Sequence, residues 1–289
     1  METTRKRVKK SSQLADIFSR LWRNKPAMLG LVILVVLVFF AVFAEWVAPY
    51  DYAAQNLADR FHSPDAQHLF GTDNLGRDIF SRVVHGTRIS LVVGTASVCL
   101  SAAIGILLGA IAGFYGGLFD NILMRIMDVL LAIPSLLLAI SIAATLGTGM
   151  QNLILAIGLG AAPGYARIVR ASILSLKDQE FVEAARSIGA SDFRIITSHI
   201  LPNCLAPIIV QMTLGVATAI LSTASLSFIG LGIAPPTPEW GSMLSAGRQY
   251  IRDAWFIVIF PGLAIMVTIF GLNMFGDGLR DALDPKLKN

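Results

Sequence analysis

The chain has 289 residues, of which 55% are hydrophobic and only 15% charged, against about 25% charged in an ordinary soluble domain. That balance excludes a water-soluble globular protein and places the chain in a membrane. The net charge of +4 calls for no nucleic acid, because basic residues retained on the cytoplasmic side, against anionic lipid headgroups, give the same balance.

In chain order, residues 1–27 form a basic tail in which Arg5, Lys6, Arg7, Lys9 and Lys10 face solvent or lipid headgroups. A spanning helix needs about 20 mostly apolar residues, and the first such run covers residues 28–48. No small-residue cleavage site follows it, so it is expected to be an anchor and not a removed signal peptide. Residues 49–87, rich in Asp, Asn, His and Gly, form an external loop too long for a simple turn. Residues 88–275 are expected to hold five more spans, at 89–113, 122–146, 153–169, 206–232 and 255–275. A cytoplasmic loop, residues 170–205, separates the fourth span from the fifth, and residues 276–289 form a second tail. With both termini inside, only Arg60, Arg77, Arg82, Arg88, Arg248 and Arg252 of the 23 basic residues fall outside, in keeping with positive loops staying cytoplasmic.

Within the second span Gly105, Gly109 and Gly113 repeat every four residues, a small-residue stripe for close helix packing in this chain or against a second subunit. In the third span Arg125 and Asp128 stand three apart on one face and are expected to form a structural ion pair, while Pro134 marks a kink or an irregular entry. The cytoplasmic loop contains EAARSIGASDFRIITSHILP, residues 183–202. Asp178 is expected to cap a helix over residues 179–188, and Gly189 suits the left-handed position that ends it. Ser191 caps a second helix over residues 192–201, before Pro202 stops it. Ala184 and Ala185 leave a small surface that a partner's groove could approach, with Glu183 at its edge. The same segment could instead lie on the bilayer with Phe181, Phe193 and Ile195 as its greasy side.

Several chemistries lack their residues. There is no GxxxxGK[ST] loop for a nucleotide, no HExxH and no GxSxG. His62, His68, His85 and His199 are scattered, and Cys99 and Cys204 read as free thiols, so no metal site is expected. The apolar cores carry no buried relay of Asp, Glu or His for a coupling proton.

Taken together, WVAPYD at 46–51, GTDNLGRDIFSR at 71–82, AGFYGG at 112–117, MRIMDVLLAIPSLLLA at 124–139, the Glu183 segment, SLSFIGLGIAPPTPEWGSML at 225–244 and GDGLRDALDPKLK at 276–288 resemble the dipeptide, oligopeptide and nickel permease family of ABC importers. The likeness is greatest to the second permease subunit of dipeptide and glutathione-type systems. The resemblance implies an all-α, multi-pass protein of the plasma (inner) membrane, with six transmembrane helices in the type I importer (MetI-like) permease fold. It implies a second homologous permease, two cytoplasmic ATPases that bind ATP and Mg, and an extracytoplasmic substrate-binding protein, with no catalytic residue or cofactor on this chain. It assigns coupling to the ATPases to Glu183, Ala184, Ala185 and Gly189, with Ile200, Leu201 and Pro202 closing the motif. It makes Gly71, Asp73, Gly76, Arg77, Asp78, Pro236, Glu239 and Trp240 candidate contacts with the binding protein or parts of an outer gate. Peptides are the expected cargo, with nickel or another metal chelate as the alternative. Two readings of another class are a stand-alone ion-coupled transporter and a membrane scaffold.

Overall fold

A computed structural model describes residues 13–283; the Arg5–Lys10 run and the DPKLK segment lie outside the described residues. Those residues are helical apart from connecting loops, and their one β-bridge pairs Thr72 with Asp78. Five helices are long and apolar enough to cross a membrane, or six when one sharply bent pair is taken as a single span.

Helix α1 (Gln13–Arg23) leads into α2 (Lys25–Val42) through Asn24, whose side chain accepts from the Ala27 amide at 3.1 Å. Pro26 follows in the first turn, where its missing N–H leaves no intrahelical bond unmade. Helix α2 is apolar on all sides, and a short α3 (Ala44–Val47) continues it after a break at Phe43. Asp78 then caps α4 (Ile79–Tyr115) by accepting from the Ser81 amide at 2.7 Å. Residues 79–87, expected in the external loop, are therefore the first turns of a 37-residue helix. At 1.5 Å per residue it is about 55 Å long and overshoots the hydrocarbon layer.

The third predicted span is two helices, α5 (Gly117–Leu131) and α6 (Ser135–Leu146), bent by 88°. Neither reaches the length of a span by itself. Pro134 sits at the head of α6, and its ring and missing N–H end α5 and restart the chain in a new direction. Helix α7 (Met150–Leu176) carries Pro163 within it. Helix α8 (Glu180–Ser187), the short α9 (Asp192–Arg194) and a π-helical run, Ile195–Ile200, precede α10 (Leu201–Phe228). Helix α11 (Trp240–Gly247) is a short element after α10, and α12 (Phe256–Leu283) closes the bundle.

Close backbone approach sets the packing. A Cβ on Gly105 would overlap Tyr165 Cβ, one on Gly109 would lie 2.5 Å from the Ala166 carbonyl oxygen, and one on Gly113 3.1 Å from that of Arg170. The glycine stripe thus packs α4 on α7 inside this chain. Gly30 does the same for α2, where a Cβ would lie 2.6 Å from the Gly271 carbonyl oxygen of α12. Between helices that share an apolar solvent, such van der Waals contact is the available attraction.

Candidate coupling site

The segment between α7 and α10 is a compact turn set on a hydrophobic base. Glu180 and Glu183 stand in the first turn of α8, the favourable end of its dipole for negative charge. The residue at its cap is Gln179, which makes no side-chain capping bond; its amide Nε2 donates instead to the Ser175 carbonyl at 3.2 Å. Asp178 is not the cap, because the chain remains helical through Leu176 and turns one residue later than the sequence suggests.

At the other end of α8 the expectation for Gly189 holds: its φ is +80°. The Gly189 amide donates to the Arg186 carbonyl at 3.0 Å and the Ala190 amide to the Ala185 carbonyl at 3.1 Å. This pair of bonds is the Schellman arrangement, which satisfies carbonyls that the helix end would leave open. Ser191 then accepts from the Arg194 amide at 3.4 Å and starts the next helix.

Pro202 does not stop that helix. Asp192 to Phe228 is one continuous helical run of 37 residues, because the π-helical turns at Ile195–Ile200 widen the backbone just before the proline. A proline in an α-helix clashes with the carbonyl four residues back and leaves it without a donor, and the wider π-helical turns before Pro202 make room for it. The turn after Gly189 is therefore joined to α10 without a break in the helix.

Burial divides the sequence-predicted coupling residues in two. Ala185 and Ile200 are inside, with Val182, Ile195, Cys204 and Val169 around them, and Leu201 is half-buried. They hold the turn to the bundle. Glu183, Ala184, Gly189 and Pro202 are exposed. Ile195 is buried, so the greasy-face alternative loses one of its three residues. Arg186 lies over the Phe114 ring at 5.9 Å, tying α8 to the end of α4.

Next to this turn, Arg170 of α7 grips Asp120 of α5 with two parallel bonds, one of them Nη2 to Oδ2 at 2.6 Å. Arg167 Nη2 meets Asp128 Oδ1 at 2.6 Å. The expected Arg125–Asp128 pair is absent among the described residues: the bend after α5 lays that helix on α7, and Arg167, one turn from Arg170, reaches Asp128 across the interface. Arg125 is exposed.

At the opposite end of the bundle the polar residues are knitted inward. Arg77 Nε donates to Asp73 Oδ2 at 2.7 Å, and Asp73 Oδ1 also accepts from the Leu75 amide at 2.8 Å and the Arg77 amide at 3.0 Å. His68 Nδ1 lies 2.9 Å from Asp78 Oδ1. Gly76, at φ +70°, comes so close to Asn56 that no side chain fits there. Glu239 caps α11, accepting from the Gly241 and Ser242 amides at 2.8 Å each, and burial pushes its carboxyl above the usual carboxylate range. Trp240 is fully buried, with its indole N–H donating to the Val83 carbonyl at 3.0 Å. Gly71, Asp73, Gly76, Arg77, Asp78, Glu239 and Trp240 are thus all buried. They shape a cap and present no surface to a partner; Pro236 alone of the set is exposed. Among the described residues no three His, Cys, Asp or Glu side chains are grouped so as to hold a metal.

Residues 105–289 match the family described as binding-protein-dependent transport system inner membrane component. The chain belongs to that family. Residues 12–64 of this permease also match the N-terminal TM domain of oligopeptide transport permease C. It is 50% identical over 274 residues to the dipeptide transport system permease protein DppC of Alkalihalophilus pseudofirmus, covering 95% of this chain and 90% of that one. It is 47% identical over 285 residues to the di/tripeptide transport system permease protein DppC of Pseudomonas aeruginosa, covering 96% and 94%. It is 49% identical over 276 residues to the glutathione transport system permease protein GsiD of Escherichia coli, covering 94% and 90%. Among solved structures, an inward facing conformation of the MetNI methionine ABC transporter superposes with a TM-score of 0.58 at 19% identity, over 71% of this chain and 98% of that one. That likeness establishes the fold, a multi-pass membrane bundle of the type I importer kind.

Two exposed apolar residues of the permease escaped the sequence reading of the coupling turn. Ile188 is 85% and Phe193 76% exposed, on either side of Gly189. The sequence puts Phe193 on a bilayer face only in the alternative reading, and Ile188 at the end of a helix. The signal that could have found them is a large apolar residue on each flank of a helix-ending glycine, where chain reversal points side chains away from the base.

Proposed function

We propose that this chain is one of two homologous permease subunits of an ABC importer that carries peptides into the cytoplasm. An extracytoplasmic binding protein delivers the cargo and two cytoplasmic ATPases, binding ATP and Mg, supply the energy. Both termini and the α8–α9 turn lie on the cytoplasmic side, where the basic residues concentrate. The names of the relatives, which cover dipeptides, di- and tripeptides and glutathione, support peptides as the cargo over metal chelates.

The observation that carries the reading is the helical continuity of the exposed turn with α10. Ile188 and Phe193 are the apolar anchors that seat in an ATPase groove, with Glu183 and Ala184 beside them. When ATP draws the two ATPases together, the turn moves with its groove. The uninterrupted helix from Asp192 to Phe228 passes that displacement into the membrane as a lever, tipping the bundle between two packed states. A loose loop would absorb the motion instead.

The test is purification of the tagged permease from its own membrane in mild detergent, wild type beside an Ile188→Asp, Phe193→Asp double variant, with retained proteins identified by mass spectrometry. Two ATPase chains and a second permease should accompany the wild type, and the variant should keep the second permease and lose the ATPases. Equal retention of the ATPases by the variant would remove the anchors from the coupling site.

A further inference from the structure

A cavity of about 130 Å³ lies between α4, α6, α7 and α10, within the spanning part of the bundle. No Asp, Glu, Lys, Arg or His lines it; its polar groups are hydroxyls and one carboxamide. Helix α10 contributes Gln211, Thr218 and Ser222, with Gly215 between them, at spacings of four, three and four that fall on one face. Ser97 and Ser101 of α4, Ser135 of α6 and Tyr165 of α7 complete the polar set.

The hydrogen bonds of these groups give the cavity a definite polarity. The Tyr165 hydroxyl donates to the Gln211 carbonyl at 3.2 Å, Thr218 to the Gly215 carbonyl at 2.8 Å, and Ser101 to carbonyls of Ser97 and Gly158 at 2.8 Å. Each has its proton committed to the protein, which leaves oxygen lone pairs for an incoming donor. Ser97 differs. Helix hydroxyls commonly bond the carbonyl one turn back, as Ser101, Thr223 and Thr268 do here, yet Ser97 Oγ is fully buried and has no partner. A buried hydroxyl left unpaired is costly; Ser90 and Ser227 share that state, and Ser97 is the one of the three on the wall of this cavity.

Building on the peptide-importer reading, we propose that this cavity is an intramembrane subsite that hydrogen-bonds the backbone amide of a peptide in transit. The Tyr165 and Thr218 oxygens accept N–H donors, and Ser97, whose Oγ is closed off from solvent in this state, gives its proton to a carbonyl or takes one from an N–H once the wall opens. An uncharged wall of this kind serves every side chain alike, since each peptide bond brings the same N–H and C=O. It offers no counter-charge to a terminal ammonium or carboxylate, so the charged ends stay in the wetter parts of the pathway.

The experiment is uptake by the complete importer, with its binding protein and ATPases, in proteoliposomes. The probes are labelled dialanine and dialanine methylated at its peptide nitrogen, which lacks the amide N–H. Wild type is compared with Ser97→Ala and with Thr218→Val, which keeps the side-chain volume. Loss of one hydrogen bond should lower dialanine uptake by between about two- and tenfold, with ATP hydrolysis still stimulated by the binding protein. Uptake of the methylated peptide should fall less, moving the ratio of the two toward one. Because the binding protein is common to all samples, a shift in that ratio belongs to the permease. An unchanged ratio in both variants overturns the subsite, whether uptake stays at the wild-type level or falls equally for both probes. ATP stimulation lost together with uptake in both variants also overturns it, by making the hydroxyls helix-packing groups. A wild-type complex that imports neither peptide defeats the peptide-importer reading itself, and the subsite with it.

Discussion

The Ala190 amide donates to the Ala185 carbonyl at 3.1 Å, a bond that closes over Gly189 and aims Ile188 and Phe193 away from the bundle. Gly189 can hold φ +80°, and nothing lies within 4 Å of where its Cβ would be. The demand on this position is therefore one of backbone conformation alone. A left-handed residue other than glycine costs about 1–2 kcal/mol, more when β-branched and less for asparagine. Gly189→Val should abolish most coupled uptake, whereas Gly189→Asn should retain a large part of it. Parallel uptake assays at matched expression check the order; equal loss in the two variants would show that space, not φ, is what the position needs.

Ile188 and Phe193 are exposed and support nothing beneath them. Replacing both with Asp should leave the thermal stability of the isolated permease within about 0.5 kcal/mol, while release of the ATPases is the change expected on purification. A melt of the variant that drops by several degrees before the ATPases are considered would place these side chains in the base of the turn.

Gly105 and Gly164 separate packing from propensity. Gly105→Ala drives a methyl group into Tyr165 on α7, and such overpacking costs about 1–3 kcal/mol. Gly164 has open space around its Cβ position and sits within α7, so Gly164→Ala should be neutral or stabilise by up to about 1 kcal/mol. Thermal denaturation of the two variants in one detergent should give shifts of opposite sign or, at the least, a clear loss only for Gly105.

Glu239 carries a pH dependence. Burial raises its carboxyl in the folded chain, so the folded state takes up the proton before the unfolded one does. Its favourable contribution is complete below the unfolded carboxylate value and is lost as pH rises through the folded value. Glu239→Gln holds the group neutral at every pH and keeps an oxygen for one of the two amides it caps. The wild-type melting temperature should therefore gain on the variant's as the pH falls from neutrality; parallel curves would show that Glu239 ionises in the fold at no cost.

The elements legible from the sequence are those encoded over a few neighbouring residues. The apolar runs located the spans, and Gly189 and Ser191 marked the end of one helix and the start of the next, because turn chemistry and apolar length are local properties. The misread features share the opposite character. Pro202 looks like a stop until the π-helical run before it is seen. Arg125 and Asp128 look paired until α5 lies against α7 and Arg167 arrives from 39 positions away. The charged GTDNLGRD segment reads as surface, yet Asp73 pairs with Arg77, Asp78 with His68 and the Ser81 amide, and all three turn inward.

The amino-acid sequence by itself determined that this chain crosses a membrane several times and carries a glycine-ended turn between two of its spans. Tertiary structure decided which residues of that turn are exposed and which are its base, that the third apolar stretch bends by 88° between α5 and α6, and that Ser97, on the wall of a cavity, has no hydrogen-bond partner. The division has one physical cause. Hydropathy and φ preference belong to a residue and its near neighbours, whereas burial and hydrogen-bond partnership are set by whichever distant helix packs alongside.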